Sequence, residues 1–412
     1  MIKILVTLAG AAVLAAPAAA FAQASHVTIY GRANLGLDNY SATGATIGSA
    51  GDYRARNRIY DAGSRLGFSG TEDLGGGLKA LFLIESGVNI DTGNGLGQAG
   101  SPNPFSGLLN SRIGYVGLQG NWGRLTFGKN NVWWANYPME QTGATYVATG
   151  LSNFYGLLGR GMNLGVSRVS NLVQYAAQAR GITAIVSYAA NGEARPAGAD
   201  SDGRLWGLTV QGQWGAASAG YDWVKNWGNT GTGIGGAQPA SSGHKLRAGW
   251  AYQPGAQIAV IWAKVEQDNG GFGAITAAGA GLPIALGLAL MPDATATSLS
   301  QTSWGLSWEH TFGKMLALAQ WGKVNNITGC KLAGACNNTS ATTWMAGLRY
   351  NISKRTGLYF NYTAIRNDSN YNMDYIGGWM TSASYLGALP GLPPSSVGAD
   401  PRMYGVGVMH NF

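Results

Sequence analysis

The chain has 412 residues, a formal net charge of +8 and charged side chains at only 11% of its positions. A soluble surface is roughly a quarter to a third charged, so these numbers exclude a fully water-exposed globule, while 65 Gly, 14 Trp and 19 Tyr point to strands and turns that meet an apolar solvent. After Phe21 no stretch approaches the roughly 18 apolar residues of a membrane-spanning helix, which leaves strands closed into a barrel as the way to satisfy every backbone group in a bilayer.

Met1 to Ala22 carries Lys3, an apolar run from Ile4 to Phe21 and a small-x-small end at Ala20-Phe21-Ala22. This is the pattern of a signal peptide. Residues 1–22 are expected to be removed, with a retained anchor as the alternative and Ala24 as a second cleavage register, leaving residues 23–412 as one barrel domain. From Val27 to Leu37 the odd positions read Val, Ile, Gly, Ala, Leu, Leu and the even ones Thr, Tyr, Arg, Asn, Gly. That period of two predicts a strand with one oily face and one wet one. The pattern recurs at 301–312, 343–351 and 404–412. About sixteen such segments begin near residues 27, 57, 78, 112, 123, 170, 181, 203, 216, 244, 256, 300, 314, 342, 356 and 403. Leu81, Leu83 and Ile261 blur the alternation in two of them.

Connections alternate short and long. Asn121-Trp122-Gly123, Ala179-Arg180-Gly181, Gln253-Pro254-Gly255, Phe312-Gly313-Lys314 and Ile352-Ser353-Lys354 are short; 89–111, 131–169, 268–299 and 367–402 are among the long ones. An all-β, 16-stranded antiparallel transmembrane barrel with short periplasmic turns and long extracellular loops fits this asymmetry. A soluble propeller or sandwich would not put every long loop at one end. Trp122, Trp214, Tyr252, Phe312, Tyr350 and Phe412 sit where strands meet short turns, as aromatic rings at a headgroup level do.

Sixteen strands enclose a space too wide for side chains to fill, so the wet faces predict a water-filled channel. Parity places Arg32, Arg65, Lys79, Arg124, Lys245, Arg247 and Arg349 inward, against Asp38, Glu85 and Glu309. Removing Lys3 takes the formal charge from +8 to +7, so the mature chain stays basic. A basic lumen concentrates anions; the competing reading puts some of these cations at the rims, facing lipid phosphates. The loop 131–169 contains Trp133, Trp134, Pro138, Met139 and Glu140, and reads either as a segment folded into the lumen or as an ordinary outer loop. Cys330 and Cys336, in an exported chain, suggest a local disulfide, with two free thiols as the alternative. The four histidines share no ligand spacing, so no metal and no cofactor is expected. Gly93-Asn94-Gly95-Leu96-Gly97 follows no βαβ pattern and is read as chance. Ser307 and His310 fall on opposite faces, and the scattered cations form no nucleic-acid stripe. A pore, rather than an enzyme or an adhesin on a barrel scaffold, is the expectation.

Several motifs together carry a family. They are His26-Val27-Thr28-Ile29-Tyr30-Gly31, the run from Ser64-Arg65-Leu66-Gly67 through Glu72-Asp73-Leu74-Gly75-Gly76-Gly77-Leu78-Lys79, Tyr115-Val116-Gly117-Leu118, Gly123-Arg124-Leu125-Thr126-Phe127-Gly128-Lys129, and the end Tyr404-Gly405-Val406-Gly407-Val408-Met409-His410-Asn411-Phe412. They resemble the Gram-negative general porins, and within them the anion-preferring β-proteobacterial type. The resemblance implies an outer-membrane homotrimer for small ions and solutes, an inward third loop, and a terminal Phe412 read by the outer-membrane assembly machinery. It also implies constriction cations at Arg65, Lys129 and Arg168. Lys129 stands where Arg is usual, and its parity puts it on the outer face unless a bulge intervenes. A solute-specific channel is the alternative within this class.

Overall fold

The computed structural model describes residues 26–88, 90–91, 112–132, 168–190, 204–227, 240–268, 296–371, 373 and 396–412. The expected signal peptide and Glu140 lie outside the described residues, as does nearly all of the loop 131–169. Seventeen strands form one sheet: β1 (His26–Thr43), β2 (Tyr53–Asp61), β3 (Arg65–Gly75), β4 (Leu78–Gly87), β5 (Ile113–Gly120), β6 (Gly123–Asn130), β7 (Val169–Ala179), β8 (Ile182–Ala189), β9 (Leu205–Trp214), β10 (Ala217–Asn226), β11 (Ser241–Gln253), β12 (Ala256–Asp268), β13 (Ser298–Phe312), β14 (Met315–Val324), β15 (Ala341–Asn351), β16 (Thr356–Asn367) and β17 (Asp400–Asn411). From β3 onward each strand pairs antiparallel with its chain neighbour, and β17 returns to β1.

The barrel has sixteen staves because β2 and β3 are two halves of one. The first half of β1 pairs with β3 and its second half with β2. The interruption at 62–64 is built: Gly63 takes φ +89, and the Asp61 carboxylate accepts the N–H groups of Gly63 and Ser64, both at 2.8 Å. Ala62 N donates to Asn34 O, and Asn34 N to Ser64 Oγ. The backbone groups at the break thus find partners, as a buried backbone must. The sequence reading counts one continuous segment there, beginning near residue 57.

Closure rests on the chain's two ends. Gly31 N donates to Phe412 O at 3.0 Å and Phe412 N to Gly31 O at 3.1 Å. At the turn end, Arg180 and Gly181 both have positive φ, the primed hairpin geometry whose twist matches the strands. The six aromatic residues expected at this rim are all exposed on the outer face. Trp308 Nε1 donates to Tyr252 Oη, which also bonds His310, and the His310 ring stacks on Phe312 at 4.0 Å. Outward apolar side chains such as Leu246, Val260 and Val406 are about half exposed, a liability in water and a match for hydrocarbon.

One expectation is revised. The inner faces are not uniformly wet: β12 and β14 to β17 turn Ile261, Val265, Leu318, Val324, Met345, Ile365 and Met403 inward, all buried. With Ile327, Tyr371 and Met373 from the loop end they form one apolar cluster. This explains why Ile261 blurred the alternation. Cys330 and Cys336 are joined, closing a loop whose ends are pinned to β13. Gln301 Nε2 donates to the carbonyls of Asn325 and Thr339, and Tyr371 Oη donates to Gln301 Oε1. Burial pushes the Tyr371 hydroxyl up to about 12, so it remains a donor.

A Cβ at residue 31 would overlap the Phe412 ring and lie 2.7 Å from Arg65 O. Gly31→Val is therefore expected to weaken the seam by about 1–3 kcal/mol, seen as a lower temperature for loss of the compact, heat-modifiable band on an unheated gel. An unchanged transition would show that the seam relaxes around the new side chain.

Candidate functional site

Strand register decides which side chains face the lumen. In β1 the even positions Arg32, Asn34, Asp38 and Tyr40 are buried inside, while Leu37 is exposed outside. Arg32 lies opposite Arg65 in the β1–β3 register, so both guanidiniums share the inner face. Like charges directly opposed repel, and each is held by a separate partner: Arg32 Nε donates to Asn411 Oδ1 at 3.1 Å, and Arg65 Nε lies 3.5 Å from Glu85 Oε2. Lys79 is opposite Asp73 and Gln119, and Gln119 is opposite Arg124, which puts Lys79 and Arg124 on the inner face near the turn end. Arg349 is inward too, its Nε donating to Asn351 Oδ1.

Lys245 and Arg247 face inward from β11 and meet an acid that sequence parity left uncounted. Asp222 Oδ2 lies 3.0 Å from Arg247 Nε and 3.5 Å from Lys245 Nζ, and Thr209 donates to Asp222 Oδ1 at 2.6 Å. All three charged side chains are sealed, at 0%, 1% and 0% exposure for Asp222, Arg247 and Lys245. Gly220 has no side chain where the Arg247 guanidinium lies across β10. These two cations are held in the wall as buried ion pairs.

The water-accessible cations are elsewhere. Arg58, on β2, forms a bidentate pair with Asp38 (Nε to Oδ1 and Nη2 to Oδ2, both 2.9 Å) with 16% of its side chain exposed. Arg65 keeps 25% exposed, while Arg112 is buried behind it, its Nε donating to Glu85 Oε1 at 2.6 Å. Among the described residues Glu85 thus sits between two guanidiniums, Arg65 and Arg112, with Tyr30 Oη donating to it as well. Sequence reading missed Arg56, Arg58, Arg112 and Asp222. The alternation Arg54-x-Arg56-x-Arg58 could have shown the first two, and Gly220-x-Asp222-x-Val224 the last. Arg112 precedes its strand, where parity says nothing.

Lys129 keeps the outer parity. Thr126 and Asn130 are the buried inner residues of β6, and Lys129 is opposite Gly114, itself opposite Ile84, which is exposed. The bulge exists, but on the facing strand: Gly128 pairs with Leu172 and Asn130 with Val169. The extra residue falls at Ser170-Asn171, with Asn171 at φ +54. It brings Arg168 within electrostatic reach of Lys129. Ser307 is buried inside, whereas His310 faces out to Tyr252 and Gln253. Among the described residues no group of three ligand-type side chains could hold a metal.

The Gram-negative porin family profile matches residues 9–370. The chain belongs to that family. Outer membrane porin protein 32 of Delftia acidovorans is 35% identical over 206 residues, 48% of this chain and 52% of the relative. Major outer membrane protein P.IB of Neisseria gonorrhoeae is 34% identical over 143 residues, 34% of this chain and 35% of the relative. These alignments span about a third to a half of the relatives' length. Among solved structures, an anion-selective porin from Comamonas acidovorans superposes with a TM-score of 0.63 at 22% identity, covering 94% of this chain and all of that one. The trimer form of OmpT from Vibrio cholerae gives 0.59 at 15% identity, over 94% and 99%. At these identities the likeness is one of fold, and it places this porin among sixteen-stranded outer-membrane barrels.

Asp222→Ala would leave Lys245 and Arg247 buried without their carboxylate. A loss of about 3–5 kcal/mol is expected, measured as the urea midpoint of the folded protein in detergent. Equal midpoints would mean that the two cations have other sufficient partners.

Proposed function

We propose that this porin is a passive, water-filled outer-membrane pore for small hydrophilic solutes, that it prefers anions, and that it assembles as a homotrimer. The observation that carries the selectivity is the wall of β1 to β4 with the residue that leads into β5: Arg58 pairs with Asp38, Arg65 and Arg112 with Glu85, and Arg32 lies opposite Arg65. Cations that outnumber acids in a water-filled passage of low-dielectric walls raise the local concentration of anions and lower that of cations. The anion-selective Comamonas porin shares the fold, and the Vibrio protein was solved as a trimer; both support the reading. Constriction roles for Arg168 and the loop bearing Glu140, and recognition of Phe412 by the assembly machinery, belong to this proposal; Lys129, on the outer face, is left out of it.

Planar-bilayer recording under a salt gradient tests it. Ohmic steps, in threes, with a reversal potential on the anion side are expected, and the absence of conductance from folded barrel would overturn the pore. Replacing Arg65 and Arg112 together by Glu should lower the anion-to-cation permeability ratio: each unit of charge removed is worth about 5-fold on each ion, the Boltzmann factor of about 1 kcal/mol for a unit charge at 4 Å in water, and each reversal removes two units. An unmoved reversal potential would place selectivity elsewhere in the lumen.

A further inference from the structure

Five Lys or Arg side chains stand on the outer faces of β9 to β17, and all lie within four residues of the loop end: Lys225, Lys264, Lys323, Arg366 and Arg402. The turn half of the same faces has none among the described residues. One step further into the membrane lie rings: Trp223, Trp262, Trp321 and Tyr404 are each two residues from a cation on the same strand. Rings at that depth mark the headgroup level, so the cations stand at the height of lipid phosphates. Long side chains that only snorkel would serve both leaflets alike. A one-sided set points to a partner on the loop side.

Their surroundings separate these cations. Lys264 Nζ is paired with Glu266 Oε1 at 2.6 Å, and Lys323 Nζ donates to Ser340 Oγ at 2.8 Å. Arg366 and Arg402 are exposed on adjacent strands, and among the described residues neither guanidinium makes a hydrogen bond or an ion pair. Asp400 is within electrostatic reach of both, and its Oδ1 accepts the N–H of Asn367. Arg402 lies opposite Ala364, and Arg366 is the next outward residue along β16, so the two stand diagonally, about 7 Å apart. Thr342 lies opposite both Arg366 and Lys323 and adds a hydroxyl between them. Deeper in the membrane, β16 and β17 with their neighbours line an apolar groove of about 600 Å³, whose walls include Leu37, Ile59, Leu358, Phe360, Val406 and Val408. Val406 is four residues from Arg402, about 13 Å down the strand. We propose that Arg366 and Arg402, with Thr342 and Lys323 beside them, hold the phosphate of a lipid of the loop-side leaflet whose acyl chain lies in this groove. A phosphate monoester is preferred, because two planar forks on adjacent strands need an anion with oxygens for both. A second copy of the chain would also cover an apolar groove, but two open guanidiniums at its upper end complement an anionic head joined to an apolar tail.

The test titrates the whole folded protein in detergent with dioleoyl phosphatidic acid, and counts retained lipid by native mass spectrometry. Dioleoyl phosphatidylglycerol and phosphatidylcholine serve as diester references with the same chains. One phosphatidic acid per chain is expected to stay bound at concentrations where the diesters leave. Arg366→Gln and Arg402→Gln should each raise the half-saturating concentration about 10-fold, the value of a charge-assisted hydrogen bond. Arg180→Gln, in a turn at the opposite rim, should not. Val406→Trp, which fills the groove, should weaken retention with both arginines in place. Equal retention by the native protein and the Arg366→Gln, Arg402→Gln double variant would overturn the site, and equal retention of the three lipids would overturn the monoester preference. Displacement of phosphatidic acid by inorganic phosphate at matching concentration would make the ligand a free anion and overturn the lipid. A changed oligomeric state with unchanged lipid retention would make this sector a contact between copies and overturn it equally. The comparison of lipids and the phosphate competition use the native protein, so they decide the proposal even where a variant does not fold.

Discussion

A backbone that crosses hydrocarbon cannot leave a strand edge open, since each unsatisfied group costs several kcal/mol there. β1 is where this barrel meets that requirement. Its eighteen residues pair on one side with β17 and on the other with both β2 and β3, and its Gly31 exchanges two hydrogen bonds with Phe412. Everything else is arranged around the ring so closed. The outer face is chosen for lipid, the inner face is freed from making the fold cohere with its neighbours across the lumen, and the loops at one end can vary.

Freedom inside the ring is used unevenly. Along β12 and β14 to β17 the inner wall buries an apolar cluster, packed with residues of the loop end, among polar residues such as Gln320, Thr343 and Asn361. Along β9 to β11 it is charged but sealed, Asp222 holding Lys245 and Arg247. Along β1 to β4 Arg58 and Arg65 are both inward and partly wetted, as are Arg124 on β6 and Arg349 on β15. Burial, more than charge, thus separates the residues that steer solutes from those that hold the wall: a sealed ion pair contributes its field at a distance, whereas Arg58 and Arg65 can touch what passes.

The barrel, its strand positions, the turn-rim aromatics and most inward cations were legible in the sequence, because a half-buried strand writes its two faces in alternate letters. Arg32, Arg65, Lys79, Arg124, Lys245, Arg247 and Arg349 all face inward as parity requires. Parity is a local rule, however, and it failed to reach two kinds of residue. Arg112 stands outside a strand, placed by Arg112 N donating to Glu85 O. Which inward cations are sealed depends on partners far along the chain, such as Asp222 for Arg247, and no periodicity encodes that.

The break in the second stave shows why the missing information matters. Arg56, Arg58 and Tyr60 are inward at even positions, but Arg65 and Gly67 are inward at odd ones. Seven residues separate Arg58 from Arg65, so an uninterrupted strand would send one of the two guanidiniums into lipid. Between Asp61 and Arg65 the stave spends three residues, 62–64, where β1 spends two, 33–34. That single extra residue flips the parity, as bulges do when they re-aim a side chain. The Asp61 carboxylate and the positive φ of Gly63 hold it in place. The basic wall is therefore assembled by a bulge: one residue of surplus chain brings the Arg56 and Arg58 pair and the Arg65 cluster onto the same face. The selectivity proposed for the pore thus depends on a hydrogen-bonded kink that carries no cation itself.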